Sequence, residues 1–113
     1  MRDLVEGLEP PYYAVIFTAL AGRDLTGYAE RIAEMLERVK TMPGFLGVEA
    51  AAEADGEIVV SYWKDAAAIA HWREDEAHRA AQQQGRAQWY AGYAVRVARV
   101  ERSALFMQEA EDS

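Results

Sequence analysis

The stretch Gly56–Arg86, GEIVVSYWKDAAAIAHWREDEAHRAAQQQGR, decides the fold of this chain. Its first part, residues 58–63, is rich in β-branched and aromatic side chains, which is typical of a strand. At Asp65 the composition changes to alanine, and an alanine-rich segment favours a helix. The stretch therefore predicts a strand that leads directly into a helix.

Large apolar side chains and one imidazole come together in the predicted helix. Ile69 and Trp72 are three positions apart, and His78 follows six positions after Trp72. Apolar residues at helical spacing share a face that packs against a sheet. The arrangement is compatible with a ligand pocket and equally with an ordinary hydrophobic core.

Length, composition and charge narrow the range of functions. With 113 residues, of which 51% are hydrophobic, the chain has the size and composition of one folded domain. It contains no cysteine, which excludes disulfides, thiolate metal sites and cysteine nucleophiles. The net charge is −7 and the 12 Lys and Arg residues are scattered. We therefore expect no binding to nucleic acid or to an anionic membrane.

The ends of the chain differ from its middle. Acidic residues interrupt the N-terminal segment where a secretory signal needs a continuous apolar run, so we expect a cytoplasmic protein. Pro10-Pro11 disfavours helix at this end. The sequence predicts an irregular N-terminal lead-in over residues 1–11, a folded domain over residues 12–107 and an acidic tail over residues 108–113.

The remaining elements follow from local patterns of side chains. A helix is predicted to begin at a cap formed by Asp24 or Thr26. It is predicted to run to about Met42, where Pro43-Gly44 stops it. The helix that begins at Asp65 is predicted to break at Glu74-Asp75, with Asp75 capping a second helical piece. The other predicted strands are residues 12–20, 45–54 and 93–107, and another turn of helix is predicted at residues 86–90.

The order β-α-β-β-α-β predicts an α+β fold of the ferredoxin-like type, a four-stranded antiparallel sheet with helices on one face. A water-exposed second face would alternate polar with apolar residues. The first strand does not, since Val15 and Phe17 occupy one phase and Ile16 and Leu20 the other. An uncovered apolar face marks an interface. We therefore expect a homodimer in which sheet packs on sheet.

Two segments resemble a known family. MPGFLGVE (Met42–Glu49), WKDAAAIAHW (Trp63–Trp72) and the order of elements are similar to those of the antibiotic biosynthesis monooxygenase superfamily. The resemblance covers residues 12–106 and implies a dimeric α+β barrel. The superfamily includes cofactor-independent monooxygenases that oxidise polycyclic aromatic polyketides, haem-degrading monooxygenases and members without known activity.

The resemblance implies two catalytic residues. Trp72 matches the tryptophan or histidine that borders the pocket in family enzymes, and His78 matches a histidine often found six residues later. An indole offers an apolar wall and one N–H donor, and an imidazole can accept a phenolic proton near neutral pH. The resulting phenolate is electron-rich and can react with oxygen without a cofactor. Among the other aromatic residues, Phe17, Tyr62 and Tyr93 are candidates for substrate binding.

The same residues also allow simpler interpretations. Trp72 can be a core residue, and His78 can face solvent from the first turn of a short helix. His71, Asp75 and His78 have ligand-like spacing, but the predicted helix break separates them, so we expect no metal site. Haem is disfavoured as a cofactor. Haem-degrading relatives place an iron-ligating histidine where this chain has Gln82, and the first strand lacks the asparagine that they use.

Three functions from different classes remain open. The first is a cofactor-independent monooxygenase that oxidises a small hydrophobic aromatic or quinol-like molecule, with His78 as base. The second is a non-catalytic ligand-binding dimer with the same pocket, and the third is a structural dimer whose aromatic residues only pack. An open cavity beside Trp72 and His78 would separate the first two from the third.

Overall fold

One four-stranded antiparallel sheet, with helices packed on one face, makes up the structure. The computed structural model describes residues 3–108. The predicted tail, residues 108–113, therefore lies outside the described residues except for Gln108, as do Met1 and Arg2 of the predicted lead-in. The strands are β1 (Tyr12–Ala21), β2 (Phe45–Glu53), β3 (Gly56–Trp63) and β4 (Tyr90–Val100), in the spatial order β2-β3-β1-β4.

Three α-helices and one π-helical turn connect these strands. The predicted α+β, ferredoxin-like fold is confirmed. Over residues 3–108, no helix has the length and apolar character needed to cross a membrane. The helical elements are α1 (Tyr28–Val39), α2 (Ala66–Glu74), α3 (Glu76–Gln84) and the π-helical turn Gly85–Trp89.

The register of β1 defines the two faces of the sheet. Phe17 lies opposite Val59 of β3 on one side and opposite Val95 of β4 on the other. Paired residues project to the same face, and successive residues along a strand alternate between faces. The odd-numbered residues of β1 and β3 therefore point to the helices, and the even-numbered residues point away from them.

Two fully buried tryptophans fix the helical layer to the sheet. Trp63 is 0% exposed and packs with Val39 and Ile69, while its indole N–H donates to Ser61 Oγ at 2.9 Å. Trp89 is 1% exposed, and its indole N–H donates to the Thr26 carbonyl at 2.9 Å. A buried indole needs such a partner. Both anchors are therefore packed and hydrogen-bonded.

The ends of two elements differ from the sequence prediction. The last strand stops at Val100, not at about residue 107, because Tyr12 at the start of β1 is the partner of Val100 and the chain beyond has no strand to pair with. Helix α1 begins after Gly27, which adopts a left-handed conformation without a side-chain cap. Asp24 does not cap the helix, because its Oδ1 accepts the Thr26 N–H at 3.0 Å within a turn.

The predicted break between α2 and α3 is confirmed. Asp65 caps α2 by accepting the Ala68 N–H at 2.8 Å, and Asp75 caps α3 by accepting the His78 N–H at 3.0 Å. Asp75 also pairs with Arg38 of α1 through two contacts of 2.8 and 2.7 Å. The hydrogen bond from Arg38 is the main cause that lowers the pKa of Asp75 to about 2.

Asp75 provides a test of this junction. We expect Asp75→Ala to lower the free energy of unfolding by about 1 kcal/mol or more through loss of the cap alone, and Asp75→Asn to lower it less because an amide oxygen still caps. Folding depresses the pKa of this carboxyl, so the ionic stabilisation is present above pH 3.8 and disappears as the pH falls towards 2. Urea denaturation between pH 7 and pH 3 measures both effects.

The matched control is Asp55→Asn in the exposed β2–β3 turn. It should leave the free energy of unfolding unchanged. Asp75→Asn should differ less from the wild type in its free energy of unfolding at pH 3 than at pH 7. An equal difference at both pH values would show that the ionised Asp75 carboxylate does not stabilise the fold.

Candidate functional site

A cavity of about 280 Å³ lies between the sheet and the helices. Aliphatic side chains dominate its walls, among them Val15 and Val59 from the sheet and Met35 from α1. Val95 and Val97 of the edge strand β4 also line it and are 47% and 54% exposed, which shows that the helices leave the cavity open along β4. An open apolar cavity has the character of a site for a hydrophobic small molecule.

Four of the five predicted site residues meet at this cavity. Phe17, Trp72, His78 and Tyr93 all line it. Tyr62 does not lie among them, because it projects from the opposite face of the sheet, one position out of phase with Ser61. There its hydroxyl donates to Glu49 Oε1 at 2.6 Å. Burial, followed by this hydrogen bond, raises the pKa of Tyr62 to about 12.

Trp72 is both a packing residue and a wall of the cavity. Its ring stacks on Trp63 at 6.5 Å and on His78 at 4.3 Å, with an interplanar angle of 17° to the imidazole. The imidazole therefore covers one face of the indole, although the sequence predicted that this ring forms a wall for a ligand. Within residues 3–108 the Trp72 indole N–H has no hydrogen-bond partner, in contrast to those of Trp63 and Trp89, so it remains available to a ligand.

The backbone around His78 fixes the tautomer of its imidazole. Nδ1 lies 3.1 Å from the carbonyl oxygen of Trp72, which can only accept a hydrogen bond, so Nδ1 carries the proton. In the neutral ring Nε2 is then an acceptor. Burial lowers the pKa of His78, and this effect outweighs the Trp72 carbonyl and the Asp75 carboxylate, which favour the charged form. The side chain is therefore a neutral base at physiological pH.

Polar residues that the sequence analysis did not propose as site residues also line the cavity. Arg73 follows Trp72 in the chain and is exposed, and Gln82 lies one helical turn after His78. Gln82 is four residues after His78, so the sequence already indicated that the two side chains share one face of a helix.

A second polar group lies at another part of the cavity wall. Glu57 of β3 lines the cavity and accepts a hydrogen bond from the hydroxyl of Tyr28, and the Tyr90 hydroxyl lies 3.1 Å from that of Tyr28. Burial raises the pKa of both Glu57 and Tyr90. No local pattern revealed this cluster, because its members come from α1, β3 and β4 and are brought together only by the packing of these elements.

The residues considered as metal ligands are not brought together. His71 is exposed on α2, whereas His78 lines the cavity and Asp75 serves as a helix cap. In the described part of the chain, no group of three or more potential ligands has the geometry to hold a metal ion.

Comparisons with known proteins agree with this architecture. Residues 11–84 match the family model described as antibiotic biosynthesis monooxygenase. The chain is 50% identical over 105 residues to the uncharacterized protein YqjZ of Bacillus subtilis (strain 168), and the match covers 92% of each protein.

Solved structures share the fold at low sequence identity. SnoaB of Streptomyces nogalater, a cofactor-independent oxygenase, matches with a TM-score of 0.70 at 12% identity, over 84% of this chain and 97% of SnoaB. Rv0793 of Mycobacterium tuberculosis matches with a TM-score of 0.73 at 14% identity, over 83% of this chain and 99% of Rv0793. At such identities the similarity shows the fold alone.

The tautomer of His78 can be measured directly. The chain has two histidines, so the variant His71→Gln leaves His78 as its single imidazole. We expect nitrogen-15 NMR to show a protonated Nδ1 and an unprotonated Nε2 at pH 7.5, with a titration midpoint below 6.5. Because folding lowers this pKa, the free energy of unfolding should decrease as the pH falls below 6.5. A proton on Nε2 at pH 7.5, or a midpoint above 6.5, would be inconsistent with the geometry.

Proposed function

The chain belongs to the antibiotic biosynthesis monooxygenase family, and on that premise we propose that it is a cofactor-independent monooxygenase acting on a small hydrophobic phenol or quinol. The observation that carries the proposal is the neutral imidazole of His78, held in one tautomer at the wall of an open apolar cavity. SnoaB, which shares the fold, is described as a cofactor-independent oxygenase.

His78 is the general base of the proposed reaction. A phenol bound in the cavity gives its proton to Nε2, the nitrogen that the Trp72 carbonyl leaves unprotonated. The imidazolium that forms keeps its Nδ1–H on this carbonyl, and the nearby carboxylate of Asp75 favours its positive charge. Deprotonation converts the substrate into an electron-rich phenolate at a pH where a free phenol stays protonated.

The phenolate supplies the electrons for the reaction with oxygen. One phenol and one O₂ give one quinone and one water. One oxygen atom forms a new carbon–oxygen bond to the ring, and the other leaves as water with the phenolic hydrogen and the hydrogen of the oxidised ring carbon. The balance requires no external reductant, which is why a base and an oriented ring are sufficient.

Aromatic side chains orient the ring and the base. Trp72 is a positioning residue, because its indole stacks on the imidazole and its carbonyl fixes the tautomer. Phe17 and Tyr93 pack against each other at 5.3 Å on the sheet side and form an aromatic wall of the cavity. Arg73 is an exposed cation in the lining of the cavity and favours an anionic ligand there.

Replacing the base tests the proposal. We expect His78→Ala to lower the rate of O₂ consumption with 1-naphthol by at least about a hundredfold, the usual loss when a general base is removed. The wild-type rate should rise with pH to a plateau, with a midpoint below 6.5 that reflects the lowered pKa of His78. An oxygen electrode measures both quantities.

The matched control is His71→Ala, which removes an exposed histidine of α2 and should retain the wild-type rate. Undiminished oxygen uptake in His78→Ala would exclude the role of the imidazole. Tight binding of 1-naphthol by the wild type without any oxygen uptake would instead favour a ligand-binding protein with the same cavity.

We also propose that two copies of the chain pair through the helix-free face of the sheet. Leu20 and Ile58 project from this face and are 61% and 49% exposed. The N-terminal segment covers another part of it, where Val5 donates its N–H to Glu49 at 2.9 Å and its side chain packs at Gly47. A second sheet would bury the uncovered apolar residues, which is the usual outcome for such a surface.

A charge on this face should prevent pairing. We expect the wild type to sediment as a dimer at micromolar concentration and Ile58→Lys to sediment as a monomer, because a buried unpaired ammonium is costly. Ala67→Lys, on the exposed surface of α2, adds the same charge and should remain dimeric. Sedimentation equilibrium distinguishes the two states, and a folded, monomeric wild type would contradict the proposal.

A further inference from the structure

Glu57 is a partly buried acidic group that the proposed reaction does not use. It stands on β3 between Ala19 of β1 and Ala52 of β2, two small neighbours that leave room for its side chain. Glu57 and Tyr90 line the main cavity and also a smaller one of about 80 Å³, so together they form part of the wall between the two spaces. Glu57 therefore borders the space that the proposed ligand occupies.

We propose that Glu57 is a specificity-determining residue that binds a second oxygen of the ligand, at the end of the cavity opposite His78. This inference rests on the proposed function, because it places the ligand in the same cavity. The ligand class that fits is an elongated aromatic molecule with a hydroxyl group at each end, rather than a simple phenol.

The positions of the two polar groups along β3 support this assignment. Glu57 and Trp63 are six positions apart, which corresponds to about 20 Å along a strand. Trp63 contacts Trp72, and Trp72 contacts His78, at ring distances of 6.5 and 4.3 Å. His78 therefore belongs to the Trp63 end of the sheet, and its separation from Glu57 is on the order of 10 Å or more. Most of the other residues that line the cavity are apolar.

The hydrogen bonds of Glu57 leave part of the carboxyl group free. Tyr28 donates to one oxygen, Oε1, and in the described part of the chain Oε2 has no donor. A carboxylate accepts several hydrogen bonds, so Oε2 can accept one from a ligand hydroxyl. Such a bond, to a charged and partly buried acceptor, is stronger than one between neutral groups. The raised pKa of Glu57 reflects the incomplete solvation that a ligand hydroxyl would relieve.

A matched pair of probes isolates this contact. The rigid rods 4,4′-dihydroxybiphenyl and 4-hydroxybiphenyl differ only in the second hydroxyl group. Their dissociation constants are measured by tryptophan fluorescence at pH 8 under argon, so that no turnover occurs. We expect the wild type to bind the dihydroxy probe about tenfold more tightly than the monohydroxy probe.

Three variants separate binding from structural support. Glu57→Gln keeps the acceptor for Tyr28 but replaces the free oxygen with a donor, and should reduce the preference to less than about threefold, mainly by weakening the dihydroxy probe. Tyr28→Phe removes the internal hydrogen bond and should lower stability while retaining the preference. Glu30→Gln, the same chemical change at an exposed position of α1, should behave as the wild type.

The outcomes distinguish this inference from the proposed function. Equal binding of the two probes by the wild type, or equal weakening of both by Glu57→Gln, would overturn the role of Glu57 and leave the function of His78 standing. Loss of the preference in Tyr28→Phe as well would show that the cluster only supports the fold, which also overturns the inference. Failure of both probes to bind a wild type that still oxidises 1-naphthol would overturn the elongated ligand class and this inference, and would leave the proposed function standing.

Discussion

The geometry of the cavity depends on the carboxylate of Asp75. The backbone of Asp75 is extended where α2 ends, and its carboxylate caps α3 by accepting the His78 N–H and binds Arg38 of α1. In one continuous helix, the six residues from Trp72 to His78 would place the two side chains about 120° apart around the helix axis, at 100° per residue. The break instead returns the imidazole onto the indole at 4.3 Å. A structural interaction between helices therefore sets the position of the proposed base.

The sheet imposes the second constraint, because it has two faces and the helices cover one. The covered face contains the cavity, and its apolar wall lowers the pKa of His78 by burial. The uncovered face carries Leu20 and Ile58, which is the basis for the proposed dimer. Tyr62 illustrates the separation of the two faces. It lies one position after Ser61 on β3 and therefore projects from the face opposite the cavity.

The polar groups in the cavity wall are few, and two of them are held by a defined neighbour. His78 is held by Trp72, and Glu57 is held by Tyr28. The fold is shared with SnoaB and Rv0793 at 12% and 14% identity, so the fold leaves the chemistry open. These few polar side chains, in an otherwise apolar wall, are what can distinguish one substrate from another in this protein.

Local sequence patterns were sufficient to determine the order of the main strands and helices, the cap at Asp75 and the fold class, because strand and helix periodicity and capping act over a few residues. The end of β4 at Val100 could not be predicted in this way, because it depends on where its partner strand begins. The same holds for the site. The sequence placed Trp72 and His78 near each other, but the imidazole tautomer and the Glu57 cluster result from contacts between distant segments, and only the tertiary structure decides these.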